Sequence, residues 1–203
     1  MTGILNMNVV TLSAPSLDWL TKELAEKIEK DHPQPFDIVI AIRRGGSYVA
    51  RSFLKSFPED KALFFAEVQV QRPTTKRKKG WVTKGLRRLP LWYLDFLRCI
   101  EASLLSIKHS LSKSAIPAIS LGDDLASKVR SGKPEVLVID DAVDSGVTVK
   151  AVIDSIKRLN PEARITTAVI TQTTSNPLVK ADYFIYNNRT LVRFPWSADY
   201  LES

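Results

Sequence analysis

The segment Val136–Thr148 limits what this chain can fold into more than any other part of the sequence. An apolar run, Val136–Ile139, is followed at once by two adjacent acids, Asp140 and Asp141. A third acid, Asp144, and a turn of small residues come next, and apolar residues then recur at helical spacing. The pattern predicts a buried strand, an acidic strand end, a loop that can hold a phosphate group, and the start of a helix.

Such an arrangement predicts a ligand with both acceptor and donor groups. In open α/β sheets, ligands bind at the carboxyl ends of the strands, and the free N–H groups at a helix start attract anions. Three carboxylates would repel a bare phosphate. They therefore need other partners, and ribose hydroxyl groups and a divalent metal ion are the natural candidates.

A second strand end carries Arg43-Arg44-Gly45-Gly46, directly after the apolar run of Phe36–Ile42. Two adjacent glycines let the backbone turn tightly and approach a ligand closely. Backbone amides at this turn, with the guanidinium group of Arg44, could hold a pyrophosphate. Alone, this pattern is typical of an ordinary turn. It indicates a binding loop more strongly when it lies on the same sheet as the acidic segment.

Strands alternate with helices along most of the chain. The predicted helices are Ser16–Lys30, capped by Ser16, Ser47–Phe57 and Leu121–Val129, and further predicted strands are Ala62–Val70, Arg164–Thr171 and Tyr183–Tyr186. This alternation predicts the α/β class, with a mostly parallel twisted sheet flanked by helices on both faces. We expect residues 1–203 to form a single domain.

The region from about residue 72 to 120 is predicted to be a basic and helical insertion. Its basic loop contains Lys76–Lys79, which is either a solvated charge run, a lid over the ligand, or a nucleic-acid contact with Trp81 as stacking partner. Apolar residues from Tyr93 to Leu111 repeat at heptad-like spacing. They predict core packing or a dimer contact, and membrane contact is a weaker alternative.

The composition indicates what kind of ligand the chain binds and in which compartment we expect it. The formal net charge of +7 favours anionic ligands. The single cysteine, Cys99, excludes an internal disulfide framework and fits a reducing cytoplasm. The first residues lack the pattern of a signal peptide, and no apolar run approaches membrane-spanning length. We therefore expect a cytoplasmic protein.

The acidic segment resembles the signature of type I phosphoribosyltransferases that binds 5-phosphoribosyl 1-pyrophosphate (PRPP). That signature is two acids, two apolar residues, Asp, a small hydroxyl residue, Gly, any residue and Thr, and Asp140–Thr148 match every defining position. Arg44-Gly45-Gly46 is similar to the pyrophosphate loop of the purine enzymes, while Val9–Thr11 and Phe194-Pro195-Trp196 resemble the ends of bacterial xanthine-guanine phosphoribosyltransferases. The resemblance implies transfer of ribose 5-phosphate to a purine-like base, with release of pyrophosphate, in nucleotide salvage.

The resemblance also implies roles for single residues. Asp140 and Asp141 would contact the ribose hydroxyls, directly or through Mg²⁺ held with water and PRPP, and Asp144 would face the base as acceptor of its N7 proton. The 5-phosphate would be bound by Ser145, Gly146, Val147 and Thr148, and the pyrophosphate by Arg44, Gly45 and Gly46. The implied partners are PRPP, a nitrogenous base and a second copy of the chain.

The half of the site that would bind the base departs from the family pattern. Enzymes that act on 6-oxopurines usually have a lysine at the end of the strand after the PRPP helix, and here that strand ends in Thr171-Gln172-Thr173. Leu191 stands where the xanthine-guanine enzymes have a stacking tryptophan, so Tyr186, Phe194 or Trp196 would have to replace it.

Two alternatives to an enzyme follow from the same sequence. One is a non-catalytic regulator that senses PRPP and binds nucleic acid through the basic insertion at 72–120. The other is an interaction protein that assembles through the helix at Tyr93–Leu111.

Overall fold

The computed structural model describes residues 8–32, 34–56, 63–70, 119–187, 190–197 and 200. The predicted insertion, except residues 119 and 120, lies outside these residues, as do the basic loop at Lys76–Lys79 and the stripe from Tyr93 to Leu111. The interpretations of those segments therefore remain predictions.

The described residues form seven strands and four helices, which alternate along the chain until the last three strands follow one another. The strands are β1 (Asn8–Thr11), β2 (Ile38–Ile42), β3 (Phe64–Val68), β4 (Glu135–Val143), β5 (Arg164–Gln172), β6 (Tyr183–Asn187) and β7 (Thr190–Arg193). The helices are α1 (Ala14–Asp31), α2 (Gly45–Leu54), α3 (Asp123–Arg130) and α4 (Val147–Leu159). None of these helices is long and apolar enough to cross a membrane.

Five strands form a parallel sheet in the order β3-β2-β4-β5-β6, and β1 pairs with β7 in a separate parallel ribbon. Alternate residues of the central strands face opposite sides of the sheet. Val39 and Leu137 pack in the core with α1 and α2, whereas Ile40 and Val138 pack in the core with α3 and α4. The predicted α/β architecture with helices on both faces is confirmed.

The strand order places a reversal between β2 and β4. From β2 the chain moves outward to β3, then returns to β4 and continues in the opposite direction to β5 and β6. The helices that follow β2 and β4 consequently lie on opposite faces. Such a reversal opens a crevice at the carboxyl ends of the two strands, where ligands bind in open α/β sheets.

Several predicted boundaries differ from the structure by one to four residues, and three of them illustrate the physical reasons. Helix α1 begins at Ala14, and Ser13, not Ser16, caps it by accepting a hydrogen bond from the Ser16 backbone N–H at 3.3 Å. Helix α2 begins at Gly45, two residues before the predicted start. Strand β4 continues past the acids to Val143 because β5 pairs with it there, so the acids lie within a strand rather than at its end.

Candidate active site

The acidic residues border the gap that opens between β2 and β4. Pairing of these strands stops at Ala41 and Ile139, one residue before Asp140. The side chain of Asp140 is buried, at 6% exposure, and its Oδ1 accepts a hydrogen bond from the Asp141 N–H at 2.9 Å. Asp141 and Asp144 are partly buried. The two adjacent acids therefore lie where β2 and β4 cease to pair.

The glycine pair at the start of α2 reaches the same gap from the other strand. A Cβ on Gly45 would lie 1.7 Å from Oδ2 of Asp141, and a Cβ on Gly46 would lie 2.6 Å from the carbonyl oxygen of Ile139. Only residues without a side chain allow this approach. The peptide bond between Arg43 and Arg44, just before the pair, is cis.

The predicted pyrophosphate residues therefore lie beside the predicted sugar-binding acids. The N–H groups of Gly45 and Gly46 belong to the first turn of α2, where a helix has no internal acceptors for them. Arg44 is exposed at this helix start, while the Nε of Arg43 pairs with Oε2 of Glu67 at 3.2 Å. The arrangement can bind an anion in front of the glycine pair.

The loop before α4 has the geometry of an anion cradle. Gly146 is the N-cap of α4 in the left-handed conformation, with φ of +76°, and no side chain caps the helix. Val147 and Thr148 lie in the first helical turn, and the Ser145 hydroxyl is 3.5 Å from the Val147 N–H. The four residues predicted to hold the 5-phosphate thus present their backbone at a helix N-terminus.

A second loop packs directly on this cradle. The N–H of Leu178 donates to the carbonyl oxygen of Ser145 at 2.9 Å, and a Cβ on Gly146 would lie 2.7 Å from the backbone nitrogen of Val179. Gly146 is therefore required both for its positive φ and for the close approach of another backbone segment.

The end of β5 is occupied by hydrogen bonds within the protein. The Thr173 hydroxyl donates to Oδ1 of Asp144 at 2.9 Å, and the Thr171 hydroxyl donates to the Thr190 carbonyl oxygen at 2.9 Å. The buried Gln172 amide donates to Thr174 and accepts from the Ala181 N–H. The end of β5 therefore presents neutral groups, one of which restrains the orientation of Asp144.

Three aromatic rings close the side of the gap next to Asp141. We call Tyr48, Phe194 and Trp196 the aromatic triplet. The ring centroids of Tyr48 and Trp196 are 4.7 Å apart, and those of Phe194 and Trp196 are 4.8 Å apart, both in stacked geometry. The indole N–H of Trp196 donates to Oδ2 of Asp141 at 3.2 Å. The triplet thus joins α2, the segment after β7 and an acid of β4.

Two contacts and one residue of this region have no counterpart among the sequence-based predictions. The contact of Thr173 with Asp144 and that of Trp196 with Asp141 join segments far apart in the chain, so no local pattern signals them. The residue is Ser47, in the first turn of α2. Within the described part of the chain, its Oγ is a buried side-chain atom without a hydrogen-bond partner. In the sequence, the only indication that Ser47 belongs to the site is its position directly after Gly45-Gly46.

The carboxylates at this site can hold Mg²⁺ only if a bound ligand supplies further oxygen atoms to the ion. Among the described residues, no group of three or more His, Cys, Asp or Glu side chains is arranged to hold a metal ion. Mg²⁺ is commonly bound by one or two carboxylates together with waters and substrate phosphates. The adjacent carboxylates of Asp140 and Asp141 match that requirement, since they are oxygen donors beside an anion cradle.

Helix α2 is fastened to α1 behind the site. The Ser52 hydroxyl donates to Oδ1 of Asp18, Lys55 pairs with Oδ2 of Asp18 at 3.1 Å, and the Thr21 and Ser52 hydroxyls are hydrogen-bonded at 2.8 Å. The hydrogen bond from Ser52, followed by that from Lys55, lowers the pKa of Asp18 below its ordinary value. These contacts keep the glycine pair of α2 in position.

Comparison with known proteins agrees with this geometry. The family described as "Phosphoribosyl transferase domain" matches residues 13–203. No curated protein matches the chain at a significant level. The chain belongs to the phosphoribosyl transferase domain family and is a phosphoribosyltransferase enzyme.

Solved structures share the fold of this chain at low sequence identity. A purine phosphoribosyltransferase from Pyrococcus horikoshii is 19% identical, with a TM-score of 0.59 over 97% of this chain and 99% of that one. A xanthine-guanine-hypoxanthine phosphoribosyltransferase from Helicobacter pylori is 17% identical, with a TM-score of 0.55 over 95% of both chains. A hypothetical protein from Neisseria gonorrhoeae with bound ppGpp is 17% identical, with a TM-score of 0.59 over 95% of this chain and 90% of that one.

Proposed function

We propose that this enzyme binds PRPP with Mg²⁺ in the cytoplasm and transfers ribose 5-phosphate to a purine-like base, releasing pyrophosphate. One observation carries the proposal: the gap between β2 and β4 brings together two adjacent carboxylates, a glycine pair and the N-terminus of a helix that begins at a glycine. PRPP is a ligand whose groups match all three, since it has ribose hydroxyls, a pyrophosphate and a 5-phosphate.

Each part of the gap receives one part of PRPP. The amides and hydroxyls of Ser145–Thr148 bind the 5-phosphate, and the carboxylates of Asp140 and Asp141 accept hydrogen bonds from the ribose hydroxyls. The amides of Gly45 and Gly46, with Arg44, bind the pyrophosphate. The sugar is thus held at both ends, which fixes its reactive carbon with respect to the incoming base.

Asp144 is the group that we assign to the base. Its Oδ1 accepts a hydrogen bond from Thr173, so the carboxylate has a fixed orientation and its other oxygen can accept the proton of the attacking nitrogen. A carboxylate here also favours the positive charge that develops on the sugar in an oxocarbenium-like transition state. Bound Mg²⁺ would offset the negative charge of the departing pyrophosphate, with Asp140 and Asp141 as its protein ligands.

The aromatic partner of the base is Tyr186. Of the three candidates, Phe194 is buried, at 4% exposure, and stacks on Trp196. Trp196 in turn stacks on Tyr48 and donates to Asp141. Tyr186 is partly exposed near the end of β6, beside Thr171 of β5. The end of β5 carries no lysine, and its hydroxyl and amide groups are engaged within the protein.

The decisive experiment is a pyrophosphate-release assay with PRPP, Mg²⁺ and a panel of purines, pyrimidines and orotate. We expect release with at least one purine-like base and none without a base. Turnover with orotate or a pyrimidine alone would contradict the purine assignment. PRPP binding without turnover of any base, together with salt-dependent binding of DNA or RNA, would select the regulator instead.

A further inference from the structure

Trp196 contacts the sugar-binding acids rather than the end of β5 where the base is expected. Its indole N–H donates to Oδ2 of Asp141 at 3.2 Å, in a partly buried hydrogen bond across 55 positions of sequence. A hydrogen bond to an ionised carboxylate is stronger than one between neutral groups. The contact therefore restrains the orientation of the Asp141 side chain.

The other side of the same oxygen is restrained by Gly45. Oδ2 of Asp141 lies 1.7 Å from the position that a Cβ on Gly45 would take, so the carboxylate occupies the space of a missing side chain. Oδ2 is thus held between a bare glycine and an indole donor. Its partner oxygen, Oδ1, lies farther from that position, at 2.8 Å, and is the one left to accept from a sugar hydroxyl or to bind a metal ion.

Stacking within the aromatic triplet fixes the direction of the indole donor. Tyr48 and Trp196 are inclined by 13°, and Phe194 and Trp196 by 9°, so the three ring planes are nearly parallel. Tyr48 lies on α2, only two residues after the glycine pair, and Phe194 is part of the core that contains α1 and α2. Rotation of the indole would disrupt both stacked pairs.

We infer that Trp196 is a positioning residue that presents the carboxylate of Asp141 to the ribose hydroxyls, or to Mg²⁺, of bound PRPP. The inference rests on the proposed function, because it names what Trp196 does for that ligand. By this inference, the segment after β7 belongs to the part of the site that binds the ribose. An outer group that orients a ligand-binding carboxylate commonly changes affinity about tenfold or more.

The hydrogen bond itself is tested by NMR of ¹⁵N-labelled indole groups, without any ligand. The chain has four tryptophans, and Trp196→Phe assigns the signal of Trp196. Asp141→Ala removes the acceptor, so the Trp196 indole proton should move upfield while that of Trp19, which is exposed on α1, stays in place. An unchanged Trp196 signal in the Asp141→Ala protein would overturn the inference.

The consequence for binding is tested by calorimetry with PRPP and Mg²⁺. Trp196→Phe keeps an aromatic ring but removes the donor, and we expect about tenfold weaker binding. Trp19→Phe is the matched control, the same substitution at an exposed position, and should bind as the wild type does. In the wild type, PRPP with Mg²⁺ should also shift the Trp196 indole signal.

The outcomes separate the inference from the function on which it rests. Equal affinity in the wild type and Trp196→Phe, or equal weakening in Trp19→Phe, would overturn the positioning role. If the wild type binds no PRPP, the proposed function fails together with the ligand named here. An indole shift in Asp141→Ala would in that case support only the contact between Trp196 and Asp141.

Discussion

The β2–α2 loop and the β4–α4 loop meet at the same gap, and each begins a helix with glycine. Gly45 and Gly46 leave space for the neighbouring strand, whose Asp141 and Ile139 lie where their side chains would be. Gly146 differs, because it has a positive φ as well as a close neighbour. The β2–α2 loop needs glycine only because a neighbouring strand lies too close for a side chain. The β4–α4 loop needs glycine for that reason and also because its backbone is in the left-handed conformation.

The two loops also differ in the chemical groups that they contribute to the gap. The end of β4 and the loop that follows it carry the carboxylates and the hydroxyls, whose side chains contact the ligand directly in the proposed function. The β2–α2 loop contributes backbone amides and a surface without side chains. Substitutions of acids should therefore affect binding without unfolding, while substitutions of glycines should affect the fold, the position of an acid, or both.

The largest effect is expected for the double variant Asp140→Asn, Asp141→Asn. It removes two charged acceptors for the sugar and the metal, and each such contact contributes about 1.5–3 kcal/mol, so PRPP affinity should fall by a factor of about 100 or more. Calorimetry with Mg²⁺ measures this change. Asp123→Asn, Asp124→Asn is the matched control, since it removes two adjacent, exposed acids at the start of α3. Unchanged PRPP affinity in the first variant would contradict the proposed site.

Gly146→Ala should cause the largest loss of stability. The left-handed conformation costs a residue with a side chain about 1–2 kcal/mol, and the collision with the backbone of Val179 adds about 1–3 kcal/mol. Gly132→Ala is the matched control, because Gly132 also has a positive φ, of +64°, but no atom within 4 Å of the added Cβ. Chemical denaturation should show a loss of only about 1–2 kcal/mol for that control. Equal losses in both variants would show that proximity contributes nothing at Gly146.

Gly46→Ala and Gly45→Ala should separate folding from binding within one loop. The added Cβ at Gly46 meets backbone atoms of Ile139 and Asp140, which cannot move aside, so we expect a loss of about 1–3 kcal/mol in the free energy of unfolding. The added Cβ at Gly45 meets only the carboxylate of Asp141. That side chain can rotate away, so Gly45→Ala should weaken PRPP binding more than it lowers stability.

Gly122→Ala controls for the loss of glycine in both variants. A Cβ there has nothing within 4 Å, and its φ of −56° is accessible to alanine. Denaturation of all three variants, followed by calorimetry of those that fold, measures the two effects. A Gly45→Ala protein that binds PRPP as the wild type does would show that the position of Asp141 beside Gly45 is not used in binding.

The smallest effect is expected at the contact that holds α2 against α1. The pKa of Asp18 is lowered in the folded protein, so its contribution to stability is present above the unfolded pKa of about 4 and is lost as the pH falls through the folded value. Asp18→Asn should therefore cost stability at neutral pH but not in acid. Because the side chain is 51% exposed, solvent screening limits the loss to less than about 1 kcal/mol.

Denaturation as a function of pH measures this difference. Glu23→Gln, an exposed acid on the same helix, serves as the control and should leave the profile unchanged. A difference between the wild type and Asp18→Asn that persists below the folded pKa would contradict an ionic origin of the contact.

The sequence by itself determined the order of the elements and the chemistry of the acidic segment. The apolar run before Asp140 and the helical spacing after Thr148 are local patterns, so they predicted β4 and α4 from one stretch of chain. The boundaries were less exact, because β5 continues to pair with β4 as far as Val143. Pairing between strands depends on a neighbour that no local pattern contains.

Only the tertiary structure decided which residues share the gap. It placed Gly45 against Asp141, joined Thr173 to Asp144 by a hydrogen bond, and brought Trp196 from the segment after β7 to Asp141. The first two contacts join segments that meet because β2, β4 and β5 are neighbours in the sheet, whereas Trp196 follows β7, which pairs with β1 outside that sheet. Side-chain chemistry can be identified residue by residue, but proximity is set by the packing of the whole sheet and its helices.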